Sequence, residues 1–255
     1  MIQIRLCTLE RKEFTSDLYR PGVISLARLV WGSLGSGLAF MIMTFLSQIC
    51  AIPILLPPLA ATCFINTTCV YLRVARPRQI VVGHFVSAVA AALVIYGFDF
   101  FSTCLPGGNM LVGKLGLALI LCTIFMQIFD ADHPPAAATA VIPILQPTST
   151  DLWALPLHMS WGAIIAVVFA LAWNRVWFAY PVPECSGAPM CLGLHQEKME
   201  VIGLGICVTG AIVMGLHLVI PACYHTGLWI TCIGTVILML QHFAHAQIIF
   251  LKDKP

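Results

Sequence analysis

Apolar positions in this chain fall into long blocks, not at the alternate or every-third-and-fourth spacing of a half-buried strand or helix. Four blocks, at about 23–50, 79–100, 111–129 and 152–178, match the roughly 20 mostly apolar residues that a membrane crossing needs. Two more lie at about 200–221 and 226–250, and residues 201–251 contain no Asp, Glu, Lys or Arg. Two further apolar segments, about 52–72 and 133–147, are broken by paired prolines. The pattern predicts an all-α, polytopic transmembrane helical bundle.

The broken segments carry related sequences. Pro57-Pro58-Leu59-Ala60-Ala61-Thr62 returns 77 residues later as Pro134-Pro135-Ala136-Ala137-Ala138-Thr139. Proline is costly inside a helix but suits its first turn, so each copy predicts a break followed by a new, shorter helix. The first, running to Leu72, would be about 24 Å long. The second is expected to weaken near Pro143. The same offset carries block 23–50 onto about 100–127 and block 79–100 onto about 156–177. Each repeat (about 23–100 and 101–178) then reads helix, broken helix, helix, and three crossings per repeat make the second copy inverted relative to the first.

Charge orients the chain. Lys and Arg collect in cytoplasmic loops, and twelve of the thirteen fall on one side if every block crosses, Lys114 being the exception. The resulting layout is a cytoplasmic arm at 1–22, a transmembrane core at 23–181, a cytoplasmic linker at 182–199 and a two-helix hairpin at 200–251. Both termini are cytoplasmic. The arm mixes Arg5, Arg11, Lys12 and Arg20 with Glu10, Glu13 and Asp17, unlike a transit peptide. A bacterial-type inner membrane is the expected location.

Composition agrees with this class: 60% hydrophobic, 9% charged, mean hydropathy +0.94. The net charge of +2 points to no nucleic-acid partner. Eleven cysteines form no Cys-x-x-Cys pair and read as small packing residues. No His-Glu-x-x-His, Gly-x-Ser-x-Gly or Walker loop is present, so no enzyme, resident metal or cofactor is expected. The expected partners are the bilayer and a small inorganic anion, with protons and self-association as open options.

Short, Pro-interrupted segments at matching places in two halves point to the substrate site of a transporter. Helix starts placed face to face would offer unpaired N–H groups and positive dipole ends to an anion. Pro57, Pro58, Ala60, Ala61, Thr62, His133, Pro134, Pro135, Ala136, Ala137, Ala138 and Thr139 are the candidate binding residues. His133 would add charge and couple to protons. Asp130 and Asp132 either favour the protonated form of His133 or hold its ring, or else form a solvated cytoplasmic mouth in which Asp132 caps the following helix. His84, Asp130, Asp132, Arg78 and Arg175 are candidate pathway or gating residues, with interface anchoring as the plainer role for the two arginines. A different class is an electron-transfer protein holding haem or a metal through helix histidines: His84 with His158, or His242 with His245, near His217 and His225.

Three stretches resemble a known family. Asp132 through Ala140 is similar to the signature of the HPP family of integral membrane proteins. Arg76-Pro77-Arg78 through Gly83-His84, and Trp173-Asn174-Arg175 followed by Tyr180-Pro181, fit the same pattern. Family members usually read His-Pro-Pro-Ala-Gly-Ala, where this chain has Ala137 for the glycine, and Pro-Phe-Gly-Ala-Ser where it has Pro58 through Thr62. The resemblance covers about 23–181 and implies a transporter, with plant and cyanobacterial relatives linked to nitrite movement across plastid-type membranes. The final 60 or so residues look like an added hairpin.

Overall fold

The computed structural model describes residues 3–5, 23–25, 28–70, 72–102, 110–146, 151–175 and 198–245. Most of the arm and linker, Trp177, Tyr180, Lys252 and Lys254 lie outside them, as do the side chains of His242 and His245. A turn of π-helix, Arg28–Gly32, leads into α1, Ser33–Ile49. Then come α2 (Leu56–Thr68), α3 (Pro77–Ser102), α4 (Met110–Ile128), α5 (Pro134–Leu145), α6 (Leu155–Asn174), α7 (Lys198–Gly215) and α8 (Ala222–His245). Three residues of parallel strand, Gln3–Arg5 beside Val23–Ser25, leave the class all-helical. Among the described residues six helices are long and apolar enough to cross a membrane. The protein is therefore a multi-pass integral membrane protein.

The two proline-started helices are the short ones. Pro57 and Pro58 occupy the first turn of α2, Pro134 and Pro135 that of α5, and each helix follows a residue in extended conformation, Leu55 or His133. α2 ends at Thr68, four residues before the expected Leu72. Its last hydroxyls, Thr67 Oγ1 and Thr68 Oγ1, turn back onto the carbonyls of Cys63 (2.9 Å) and Phe64 (2.5 Å), which competes with continued helix. At 13 and 12 residues, α2 and α5 are about 20 and 18 Å long. α5 accommodates Pro143 internally.

Each break is preceded by the same helix stop. Ala51 (φ 49°) and Asp130 (φ 48°) are left-handed. Ile52 N donates to Ser47 O and Ala51 N to Gln48 O; Ala131 N donates to Met126 O and Asp130 N to Gln127 O. Both are the Schellman pattern that closes a helix end, here built on residues other than glycine.

Packing repeats between the halves as well. α1 lies on α2 as α4 lies on α5; α2 lies on α6 as α5 lies on α3; α3 meets α4 as α6 meets α1; α3–α6 and α2–α5 map onto themselves. α3 and α6 are the central pair, 67% of each span being buried, while α1 and α4 turn Leu34, Met41, Phe45, Val112 and Ile120 outward. Small residues on the central pair, among them Ala88, Ala91, Ala163 and Ala166, allow that closeness. Two glycines admit the broken helices. A Cβ on Gly83 of α3 would meet Ala131 O and His133 Cβ at 3.0 Å; one on Gly162 of α6 would meet Leu59 Cδ1 at 2.6 Å.

The hairpin α7–α8 closes on itself through glycines. A Cβ on Gly210, Gly227 or Gly234 would strike the backbone of Thr231, Met214 or Cys207. It docks onto the core through Trp161 Nε1 to Ala211 O (3.2 Å), His158 Nε2 with Tyr224 Oη (2.6 Å) and Arg78 Nε to Leu238 O (3.1 Å).

Gly83→Ala presses on backbone, whereas Gly162→Ala presses on the end of a leucine that can turn aside. Gly83→Ala is expected to lose about 1–3 kcal/mol, as overpacked cores do, and Gly162→Ala less. Melting temperatures in detergent, with Gly37→Ala as the control that meets nothing within 4 Å, check the order.

Candidate functional site

Four polar side chains, each fully buried, join the two broken helices to α3. Thr62 Oγ1 lies 2.8 Å from His84 Nε2 and 2.9 Å from His133 Nε2; His84 Nδ1 lies 2.9 Å from Thr139 Oγ1; His133 Nδ1 lies 2.7 Å from Val74 O. Thr62 and Thr139 are the matching residues of the repeated motif. The imidazole of His84 sits between them, edge-on to that of His133 with ring centroids 5.3 Å apart.

The protons in this chain follow from one acceptor. A carbonyl cannot donate, so His133 Nδ1 carries hydrogen toward Val74 O, and in the neutral ring Nε2 must accept. Thr62 is its donor. Having spent its only hydrogen, Thr62 accepts from His84 Nε2–H, and Thr139 donates to His84 Nδ1. Every polar atom is satisfied with both rings neutral, as buried polar networks require.

The same geometry reshapes the helix-start argument. α5 begins beside the second turn of α2: His133, its N-cap, touches Thr62, six residues into α2 and thus about 9 Å along it. The helices pass side by side. The prolines also strip their own helix starts of donors, because proline has no N–H. At α5, Pro134 and Pro135 contribute none and Ala136 N is turned onto His133 O at 2.8 Å. Near α2, Leu55 N is spent on Met159 Sδ (3.3 Å). Polar hydrogens at this crossing therefore come mainly from Thr62, Thr139, His84 and His133.

The remaining candidates divide. Pro58, Pro135 and Ala136 are buried beside the cluster, Ala60, Ala137 and Ala138 are half-buried, and Pro57, Ala61 and Pro134 are exposed on the far faces of their helices. Asp132 is exposed and is not the cap of α5, which has none from a side chain. Arg175, the residue just after α6, is exposed. His158, drawn above as a partner for His84, is instead paired with Tyr224, and both nitrogens of His84 are engaged by threonines. No group of three or more His, Cys, Asp or Glu side chains suited to a metal occurs among the described residues.

Two residues escaped the sequence reading as a pair. Asn66 lies one turn beyond Thr62 on α2 and Asn174 ends α6. Asn174 Nδ2 donates to Asn66 O at 2.7 Å, while Asn174 Oδ1 and both polar atoms of the Asn66 side chain are buried without a partner. Their meeting depends on tertiary packing alone, which sequence spacing does not carry.

The family described as HPP, transmembrane region, matches residues 21–181 of this chain. No curated protein and no solved structure matches it.

Arg78 is the only Lys, Arg, Asp or Glu buried among the described residues. Lying in the first turn of α3, it donates through Nη1 to Asp130 O (3.2 Å) and Asp130 Oδ2 (3.3 Å), through Nη2 to Phe129 O, and through Nε to α8. Arg73 pairs with the other oxygen of Asp130. Arg78 thus ties the end of α4, the break before His133 and the hairpin together, where the sequence suggested a solvated anchor. Arg78→Ala removes the bonds to Phe129 O, Asp130 O and Leu238 O and is expected to cost about 1–3 kcal/mol, the range for taking a hydrogen-bond partner from buried groups. Asp130→Asn keeps the carbonyl bonds and should cost less. Denaturation of purified protein measures both.

Proposed function

The chain belongs to the HPP transmembrane family, and from that premise we propose that it is a transporter or channel for a small monovalent anion. The observation that carries the proposal is the buried cluster of Thr62, His84, His133 and Thr139 at the crossing of two interrupted helices. Short, interrupted helices paired across two halves are the usual setting of a transport site. Ionisable residues inside a membrane bundle are retained for function more than for stability. The packing pairs that exchange between the halves support reading them as inverted repeats, with the site on their shared axis.

The choice of an anion rests on what the crossing offers. Threonine hydroxyls and imidazole N–H groups donate, the start of α5 at His133 lies against them, and no carboxylate is buried among the described residues. The small size of the solute follows from the close approach of α3 and α5, where a Cβ on Gly83 would meet His133 Cβ at 3.0 Å and Ala136 Cβ at 3.5 Å. Nitrite is the anion that the resemblance of these motifs implies. The basic residues near Arg73 and Arg78 would mark the cytoplasmic end, which puts both termini in the cytoplasm of a bacterial-type inner membrane. Such a chain is no enzyme and needs no cofactor, and a gradient supplies the driving force.

Proteoliposomes test this directly. Nitrite, nitrate, formate, bicarbonate and chloride are offered in turn, with His133→Ala and Thr139→Val alongside. Saturable flux of one small anion, reduced at least tenfold by either substitution, is the expected outcome. Saturable flux of a cation in place of every anion would overturn the proposal.

A further inference from the structure

We propose that this cluster moves one proton with each anion: His133 takes the proton, and the hydroxyl of Thr62 is the switch that accommodates it. The inference rests on the transport reading and adds the coupling ion to it.

The argument starts from what one more proton would do. With both nitrogens of His133 protonated, Nε2 donates to Thr62 Oγ1 instead of accepting from it. The displaced hydroxyl hydrogen has another acceptor within reach, Pro58 O, 3.1 Å away in the first turn of α2. Thr62 Oγ1 then accepts from both His133 Nε2 and His84 Nε2 through its two lone pairs. One proton enters, no bond between heavy atoms changes, and every hydrogen bond of the cluster survives, with only the His133–Thr62 bond reversed in direction. A buried network that can be reversed in this way tolerates two charge states. The same side chains locked to one-way partners would not.

Charge then links the proton to the anion. A protonated His133 places a full positive charge at the N-cap of α5, against the positive end of that helix, where charge of the same sign is unfavourable. The other ionisable groups around it give no relief. Across the rings lies His84, a second imidazole. Asp130 is held by Arg73 and Arg78, and Asp132 is exposed. α2 faces His133 with a hydroxyl, Thr62. An anion entering the crossing supplies the missing counter-charge. Proton and anion therefore each strengthen the binding of the other by the same factor, as linkage requires. The donors removed by Pro134 and Pro135 leave the site needing that proton: with the helix start stripped, the imidazolium is the strongest attraction available to the anion.

The test uses the full chain in proteoliposomes enclosing a pH-sensitive dye, with anion flux and internal pH followed together. Nitrate is run beside nitrite because nitric acid is fully ionised and does not leak through lipid, and protein-free vesicles provide the baseline. The expected result is acidification that accompanies anion entry, about one proton per anion, and faster entry when the proton gradient points inward. Thr62→Ser, which keeps the switch, should retain coupling. Thr62→Val should lower proton-driven uptake at least tenfold. His133→Gln preserves a donor and an acceptor but cannot take the proton, so its remaining anion flux should be independent of the proton gradient. Anion flux in the wild type without proton movement, or His133→Gln carrying protons as the wild type does, overturns this inference alone. No flux of any anion by well-folded protein overturns the transport reading and this one with it.

Discussion

A peptide group inside a bilayer must find its hydrogen bond within the protein, since lipid offers none. Most of this chain meets that demand by being helix. At two places, 50–55 and 129–133, it leaves the helix, and much of the surrounding architecture answers the need this creates. The Schellman closures satisfy the last carbonyls of α1 and α4. Ser47 Oγ reaches Ile52 O at 2.7 Å, Leu55 N turns to a methionine sulfur, and Arg78 collects the carbonyls of Phe129 and Asp130. The long helices α3 and α6 bury the interruptions, and Gly83 and Gly162 let them come close enough to do so. An interruption placed on the lipid face would leave the same groups unpaired at a cost of several kcal/mol each.

Equal scaffolding carries unequal chemistry in the two halves. Thr62 and Thr139 are matched across the 77-residue offset, but His84 falls opposite Trp161. His84 faces inward between the two threonines, whereas the indole of Trp161 faces the hairpin and donates to Ala211 O. One position thus serves the central cluster in the first half and subunit-like docking in the second. His133 likewise corresponds to Leu56. Each half thus supplies one histidine to the cluster, His84 from the first and His133 from the second, at positions that do not correspond.

Much of this was legible in the chain. Long apolar blocks identify the spans to within a few residues except at the start of the first, where Val23–Ser25 is strand and helix begins only at Arg28, and the doubled Pro-Pro identifies both interrupted helices, because proline acts locally and strongly. The early end of α2 was not legible, because Thr67 and Thr68 read as polar residues within the helix and their backward bonds appear only in the structure. The face-to-face arrangement of helix starts follows from reading the repeats as inverted; the missing N–H groups of the prolines were legible too, and they move the chemistry to side chains. His84 carried only a weak motif, since nothing in its spacing reveals that it bridges two threonines 77 residues apart. Arg78 read as a pathway residue or an interface anchor, and its structural ties were hidden because its partners, Asp130 and Leu238, are distant in sequence. The paired left-handed stops left no trace in composition, being built on Ala51 and Asp130 where glycine is the usual choice.

Those two stops differ in what holds them. Ala51 brings only a methyl group to its bend, so that bend carries no charge of its own. Asp130, at the corresponding bend, brings a carboxylate clasped by two guanidinium groups. Dissolved salt screens attraction between charges that solvent reaches. Two turns of the same backbone shape therefore answer differently to ionic strength, the one at Asp130 loosening as salt rises while the one at Ala51 has no ion pair to lose.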